Sequence, residues 1–407
     1  MKILIPDNRN QLTNLGFVLI LLSSLLRRIN FPHSNMGIHY VLLSIFACSI
    51  IAVNKKYIAE VIKKQKPFFI SVGIFYLWMW LCSISSPFPI TSITYSIKYS
   101  VYFIILLAFL LLTYLNKNLF FYYRCILSFL QMIAALGFVE ALFPKLEIFK
   151  LLKFPSFYPQ IGSIMQNPNQ FGVIMVIGLC ITLILGKQKN ISQFEQYINV
   201  ITFLIALALS ASRNSWAMLI IATTLLCLYQ IISFRKSFFV LGLCFLCVLL
   251  LPVAKYKIGL GNSQIFSLDS FFITNPIESK IPNPVSSAVS RLKIWQAAIA
   301  EFIKRPITGI GIGVFAEHIK VFGVKGIHTH NIFLSVLAEL GITGIIIFIN
   351  FLKNLTNKVQ FLNPIITIPI TIFLASQMVD FFIEDYTFTT IELFFLTAAI
   401  NAQNQLA

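Results

Sequence analysis

At 407 residues, with 58% hydrophobic and 11% charged side chains and a mean hydropathy of +0.85, the chain carries more apolar surface than a water-soluble fold of its size can bury. That excludes a soluble enzyme. It also turns the formal net charge of +17 from a sign of nucleic acid into a question of where the charges fall between membrane spans. A hydrocarbon core of about 30 Å takes roughly 20 apolar residues per helix. By that measure about twelve spans follow in chain order, near residues 12–28, 38–54, 67–85, 96–115, 124–144, 169–186, 196–212, 214–232, 237–254, 331–351, 363–381 and 386–402. No cleavage-site pattern follows the first span, so it reads as an uncleaved helix.

The connectors KKYIAEVIKKQK (55–66), NKNLFFYYR (116–124), KQK (187–189), FRK (234–236) and KNLTNK (353–358) are basic, and all fall on one side if the spans alternate. The positive-inside rule makes that side the cytoplasm and puts both termini there. Connectors on the other side, such as SSPFPITSITYS (85–96), are nearly uncharged; Arg27 and Arg28 dissent at the outer end of the first span. The seven cysteines all lie in or at the edges of spans. Cys244 and Cys247 form a CxxC inside an unbroken apolar run. It has neither the basic neighbour nor the fold context of a redox motif.

One stretch breaks the rhythm. Residues 255–329 are polar or weakly apolar and form a large outer loop; a smaller one, 144–168, carries FPKLEIFKLLKF, a mixture suited to the headgroup plane. In the large loop, SSAVSRLKIWQAAIAEFIKRP (286–306) reads as a helix capped by serines and stopped by Pro306. Ala288, Leu292, Trp295, Ile299 and Phe302 form its apolar stripe, with Arg291 on the edge. TGIGIGVF (308–315) follows; with no strand before it and without the dinucleotide spacing, its glycines read as a tight, flexible turn.

Three polar breaks then hold the groups able to do chemistry. Arg213, in SASRNSW (210–216), sits close to the hydrocarbon, where a charge is costly; it either snorkels or binds an anion, for which guanidinium offers a planar fork of donors. Arg291 poses the same choice. His328, His330 and Asn331, in GIHTHN, stand at the mouth of a span. An imidazole there serves either as a hydrogen-bonding group at a helix start or as a general base; two imidazoles lack a third ligand of clear spacing, so no metal is assigned. Span alternation puts Arg213, Arg291 and His330 on the same outer face. Glu140, Asp380, Glu384 and Asp385 fall near it, with Glu339 and Glu392 deeper. None receives a catalytic role, although intramembrane carboxylates keep a proton-coupled transporter in view.

SASRNSW (210–216), RLKIW (291–295), PITGIGIGVF (306–315) and HNIFLSVLAELGITG (330–344), in this order and with NPNQFG (167–172) before them, resemble the O-antigen ligase superfamily, also known as the Wzy C-terminal family. The resemblance covers about residues 160–350. It implies an all-α, GT-C-like membrane protein of about twelve transmembrane helices with one large helix-containing periplasmic loop, a single polytopic domain over 1–407, in the bacterial inner membrane. It further implies a metal-independent, inverting glycosyltransferase without cofactor, moving a glycan from undecaprenyl pyrophosphate to an acceptor hydroxyl on the periplasmic face. Carried over residue by residue, Arg213 and Arg291 hold the pyrophosphate and His330 deprotonates the acceptor, with His328 and Asn331 in support. The partners are a lipid-linked glycan donor, a lipid A-core or growing-glycan acceptor and the bilayer, not nucleic acid. Ligase is the favoured reading and a Wzy-type polymerase the next. Protein O-oligosaccharyltransferases share the architecture, and some members have been linked to bicarbonate accumulation, the transporter alternative.

Overall fold

The computed structural model describes residues 8–26, 37–116, 118–143, 146, 160–165, 167–250, 284–319, 328–356, 363–380 and 385–402. Arg27, Arg28, Glu384, the 255–283 part of the expected large loop and most of the FPKLEIFKLLKF segment lie outside them. Among the described residues the protein is helical, without a strand. The helices are α1 (Asn8–Ser23), α2 (Ile38–Val53), α3 (Ile58–Lys64), α4 (Lys66–Ile84), α5 (Pro89–Leu115), α6 (Phe120–Leu142), α7 (Pro168–Lys187) and α8 (Gln193–Ser210). They continue as α9 (Arg213–Leu228), α10 (Phe234–Leu250), α11 (Pro284–Lys304), α12 (Phe315–His318), α13 (Ile332–Thr356), α14 (Pro364–Gln377) and α15 (Tyr386–Ala402).

Each expected span falls on one of these helices, but their lengths differ. Among the described residues, five helices are long and apolar enough to cross a membrane: α4, α5, α6, α7 and the Ile332–Lys353 part of α13. A sixth crossing arises if α2 and the Lys55–Lys64 segment, bent by 72° from each other, count as one broken span. The α9 helix has 16 residues and α14 has 14, which at 1.5 Å per residue is short of a core about 30 Å thick. A hydropathy window cannot see this, because the capping groups that end a helix are often themselves flanked by apolar residues. The chain is thus a multi-pass helical membrane protein.

Local chemistry explains the helix starts. Proline, whose missing N–H costs nothing in a first turn, opens α5, α7 and α14. Asn167, Ser192, Ser212 and Asn363 cap α7, α8, α9 and α14 through their side chains. At the 72° bend, Asn54 donates its amide to Ile50 O at 2.8 Å and to Thr13 Oγ1 at 3.1 Å, which ties the break to α1. On α4, Ile70, Ile74, Leu77, Leu81 and Ile84 are exposed at alternating steps of four and three. This one-sided apolar stripe is stable in lipid and not in water.

The chain forms two compact units. The first comprises residues 1–122, 290–362 and 389–407. In it α4 packs on α13 and on α5, and α2 on α1 and α5. Helix ends are tied together by buried amides: Gln65 donates to Ile400 O, and Asn401 donates to Leu110 O and Thr113 Oγ1. The second unit comprises residues 123–289 and 363–388. Here α7 is enclosed by α8, α9 and α14, and its face is buried over nearly its whole length, from Pro168 to Leu185. Arg124 pairs with Glu195, and Gln131 donates to Asn199, so two polar rungs hold α6 beside α8.

Candidate active site

In the first unit the motifs met in sequence lock into one another. Helix α13 is interrupted at Gly341, whose φ of 69° and ψ of −169° lie outside the helical region. The Pro306–Gly313 segment docks against this interruption through backbone hydrogen bonds. Ile310 N donates to Ala338 O at 3.0 Å, Gly311 N to Glu339 O at 2.9 Å, and Ile342 N to Pro306 O at 2.8 Å. The approach is so close that a Cβ on Gly309 would lie 2.3 Å from the Glu339 carbonyl carbon, and one on Gly341 would lie 2.2 Å from Ile307 O. The glycine-rich stretch is therefore a packed joint and not the flexible turn expected: its glycines admit a neighbouring backbone, which spacing alone does not disclose.

The same joint sets the orientation of α11. Its apolar stripe was expected to lie on the membrane or against the bundle; Leu292 and Ile299 of that stripe are exposed, whereas Ile294, Ala297, Ala298 and Glu301 are buried. The buried face packs with Ile310, Val314, Phe315 and Ala338, with Trp295 and Leu334 at its margin. Helical periodicity holds, but the small Ala297 and Ala298 side chains let the glycine joint approach, and that contact outweighs the larger side chains of the expected stripe.

This packing positions the imidazoles. Trp295 donates its indole N–H to Thr329 O at 2.9 Å, and Arg291 stands one turn earlier on the same helical face, half-buried. The R(x)3W spacing thus carries a cation and a clamp, and the clamp grips the residue between His328 and His330. Asn331 accepts from Phe333 N at 3.0 Å and Leu334 N at 3.1 Å, capping α13. Thr329 Oγ1 bonds Asn331 O and Ser335 Oγ, both at 2.6 Å. His330 itself is held at a φ of 55°, a left-handed conformation that costs a non-glycine residue about 1–3 kcal/mol. The rings of His328 and His330 meet edge to face, 4.7 Å between centroids.

Arg213 belongs to the second unit. Ala211, with a φ of 48°, turns the chain sharply after α8, and Ser212 caps α9 by accepting from Ser215 N at 3.2 Å. NPNQFG braces this turn. Ser212 Oγ donates to Asn169 Oδ1 at 2.7 Å, Asn169 Nδ2 to Asp380 Oδ2 at 2.7 Å, and Ser215 Oγ to Asn169 O at 3.2 Å. Arg213 is the first residue of α9, exposed beside that positive helix end. Among the described residues it forms no hydrogen bond or ion pair, which leaves its guanidinium available to an anion.

A braced, unpaired arginine in the second unit, and in the first an arginine coupled by a tryptophan to a histidine at a helix mouth, form an ordered set. Residues 198–349 match the O-antigen ligase family. The O-antigen ligase match contains Arg213, Arg291, Trp295, His328, His330 and Asn331, together with both halves of the glycine joint; it leaves out NPNQFG and Asp380. No curated protein matches the chain. The O-antigen ligase segment supports, in general terms, a membrane glycosyltransferase activity of the ligase or polymerase type.

Within the O-antigen ligase segment Arg291, His328, His330 and Asn331 come together in one unit, and Arg213 has its own setting in the other. Trp295, Thr329 and the Asn169–Asp380 brace were missed as site residues. The four-residue step from Arg291 to Trp295 was the available signal for the first. The buried carboxylates hold structural donors: Glu140 accepts from Ser163 N at 2.7 Å, Glu339 from Phe315 N at 3.3 Å, and Asp380 from Asn169. Replacing Trp295 with Phe keeps an aromatic ring but removes the N–H and part of the indole. The expected result is a loss of about 2–4 kcal/mol of stability, from a carbonyl left without its donor and from lost packing, read as a lower melting temperature in detergent. Transfer activity should fall further than stability does.

Proposed function

We propose that this protein transfers a glycan from undecaprenyl pyrophosphate to an acceptor hydroxyl, as an O-antigen ligase whose acceptor is a sugar of lipid A-core. Arg213 and Arg291 bind the pyrophosphate and balance the negative charge that grows on it as the glycosidic bond breaks. His330 takes the proton of the acceptor hydroxyl while that oxygen attacks the anomeric carbon from the face opposite the leaving group, so configuration inverts. The guanidinium groups supply the positive charge, and no metal or cofactor takes part. In this reading the chain crosses the bacterial inner membrane about twelve times, with both termini in the cytoplasm and the reaction at the periplasmic face.

The observation that carries the reading is the bond from Trp295 to Thr329 O. It couples the helix bearing Arg291 to the turn bearing His330, and so relates a phosphate-binding group to a base within one unit. The test is a gel profile of surface glycan in a deletion strain complemented with wild type, Arg213→Ala or Arg291→Ala. Each substitution is expected to lower transfer about 10²-fold to 10³-fold, leaving core without polymer while lipid-linked polymer accumulates. Core capped by a single repeat unit would identify a polymerase instead, and an unchanged profile would overturn both readings.

A further inference from the structure

The α9 turn satisfies its buried polar side chains with two omissions, Asn214 and Trp216. Ser210 donates to Leu207 O, and Ser212, Ser215 and Asn169 bond as described above. Asn214, only 6% exposed, has neither its Oδ1 nor its Nδ2 hydrogen-bonded. The Trp216 indole N–H is likewise buried and unpaired. A buried amide left in this state is costly, and native structures rarely keep one without a use. On a helix of 3.6 residues per turn, Asn214 is rotated about 100° from Arg213 to one side and Trp216 about 60° to the other. The two unsatisfied groups therefore flank the arginine.

The chemistry of the amide narrows what it takes. A phosphate only accepts hydrogen bonds; it would satisfy Nδ2 and leave Oδ1 bare. A ligand that both donates and accepts satisfies the two atoms together, as hydroxyl or acetamido groups on a sugar ring do, and an indole N–H adds a donor beside an apolar ring of the kind sugars pack upon. Resting on the donor reading above, we propose that Asn214 is a sugar-recognition residue: its amide exchanges hydrogen bonds with the sugar attached to the diphosphate, while Arg213 holds the diphosphate. The turn thereby distinguishes a loaded carrier lipid from a bare one.

The test measures binding of two probes to the purified full-length protein in lipid nanodiscs: undecaprenyl pyrophosphate, and the lipid-linked glycan extracted from the cells that make this protein. Asn214→Leu keeps the shape and deletes the amide. The expected result is about a 10-fold or greater loss of affinity for the glycan-bearing lipid, the size of two hydrogen bonds to uncharged partners. Affinity for the bare lipid should stay unchanged, and the melting temperature should stay the same or rise. Should the leucine variant fail to fold, Asn214→Val, smaller and likewise uncharged and without the amide, is expected to show the same selective loss. Wild-type affinity for the glycan-bearing lipid in these variants, or an equal loss for both probes with a lowered melting temperature, would overturn the assignment. Failure of the donor reading would look different: Arg213→Ala would then leave binding of both probes unchanged.

Discussion

Replacing His330 with Gly is expected to give a protein about as stable as wild type that transfers glycan about 10²-fold to 10⁴-fold more slowly. Opposing terms set the stability, the lost ring contact with His328 among them. Glycine relieves the left-handed strain at a φ of 55°, worth about 1–3 kcal/mol, and offsets it with about 0.5–1 kcal/mol of added backbone freedom in the unfolded chain. The turn itself is held by Thr329 and Asn331, whose bonds to Ser335, Phe333 and Leu334 do not use the imidazole. His330→Asn is the companion variant, since asparagine tolerates the left-handed region but offers no base. Both should be inactive in a transfer assay at wild-type protein levels. If His330→Gly keeps most of its activity, the histidine serves only the turn and the general-base role is lost. If abundance and activity fall together, the effect is one of folding.

The helices were legible in hydropathy because lipid demands apolar residues at nearly every outward position, and the stripe of Ile70, Ile74 and Leu77 on α4 shows that demand directly. What hydropathy misplaced was the ends. Ser212 and Asn167 start helices by hydrogen bonding, and α9 ends at Leu228, short of the expected 214–232 span, where Gln230 turns the chain at a φ of 55° and Gln230 N and Ile231 N close on Cys227 O and Leu226 O. Arg213, Arg291 and His330 stood out because a charged or imidazole group beside the hydrocarbon needs a reason. Their supports did not stand out. Asn169 is one amide among many until Ser212 and Asp380 are seen on either side of it. Trp295 passed for one member of an apolar stripe, since its contribution is a single N–H aimed at a carbonyl 34 residues away. The stripe on α11 left two settings open, the membrane or the bundle. What packs against this helix is the glycine joint, which takes the small Ala297 and Ala298, while Leu292 and Ile299 stay exposed.

That joint makes Gly341→Ala a highly disruptive small substitution in the first unit. Two independent penalties act together. At a φ of 69° and ψ of −169° the backbone occupies a region essentially restricted to glycine. The added methyl would also stand 2.2 Å from Ile307 O and 2.4 Å from its carbon. These are backbone atoms, so relief requires pulling the 306–311 segment away from α13, with loss of the Ile342 N to Pro306 O bond and its two neighbours. The expected cost is about 3 kcal/mol or more, read as a large fall in melting temperature and in the amount of folded protein extracted from membranes. Gly73→Ala is the matched control. Gly73 lies within α4 with nothing inside 4 Å of its would-be Cβ, and alanine there should be neutral or stabilising by up to about 1 kcal/mol. Equal behaviour of the two variants would refute the interlock. A selective loss at Gly341 would show that AELG and the glycine-rich stretch are two halves of one structural element. Folded Gly341→Ala protein should also transfer poorly, because the joint seats α11 against α13, and through α11 it places Trp295 on the turn that carries His330.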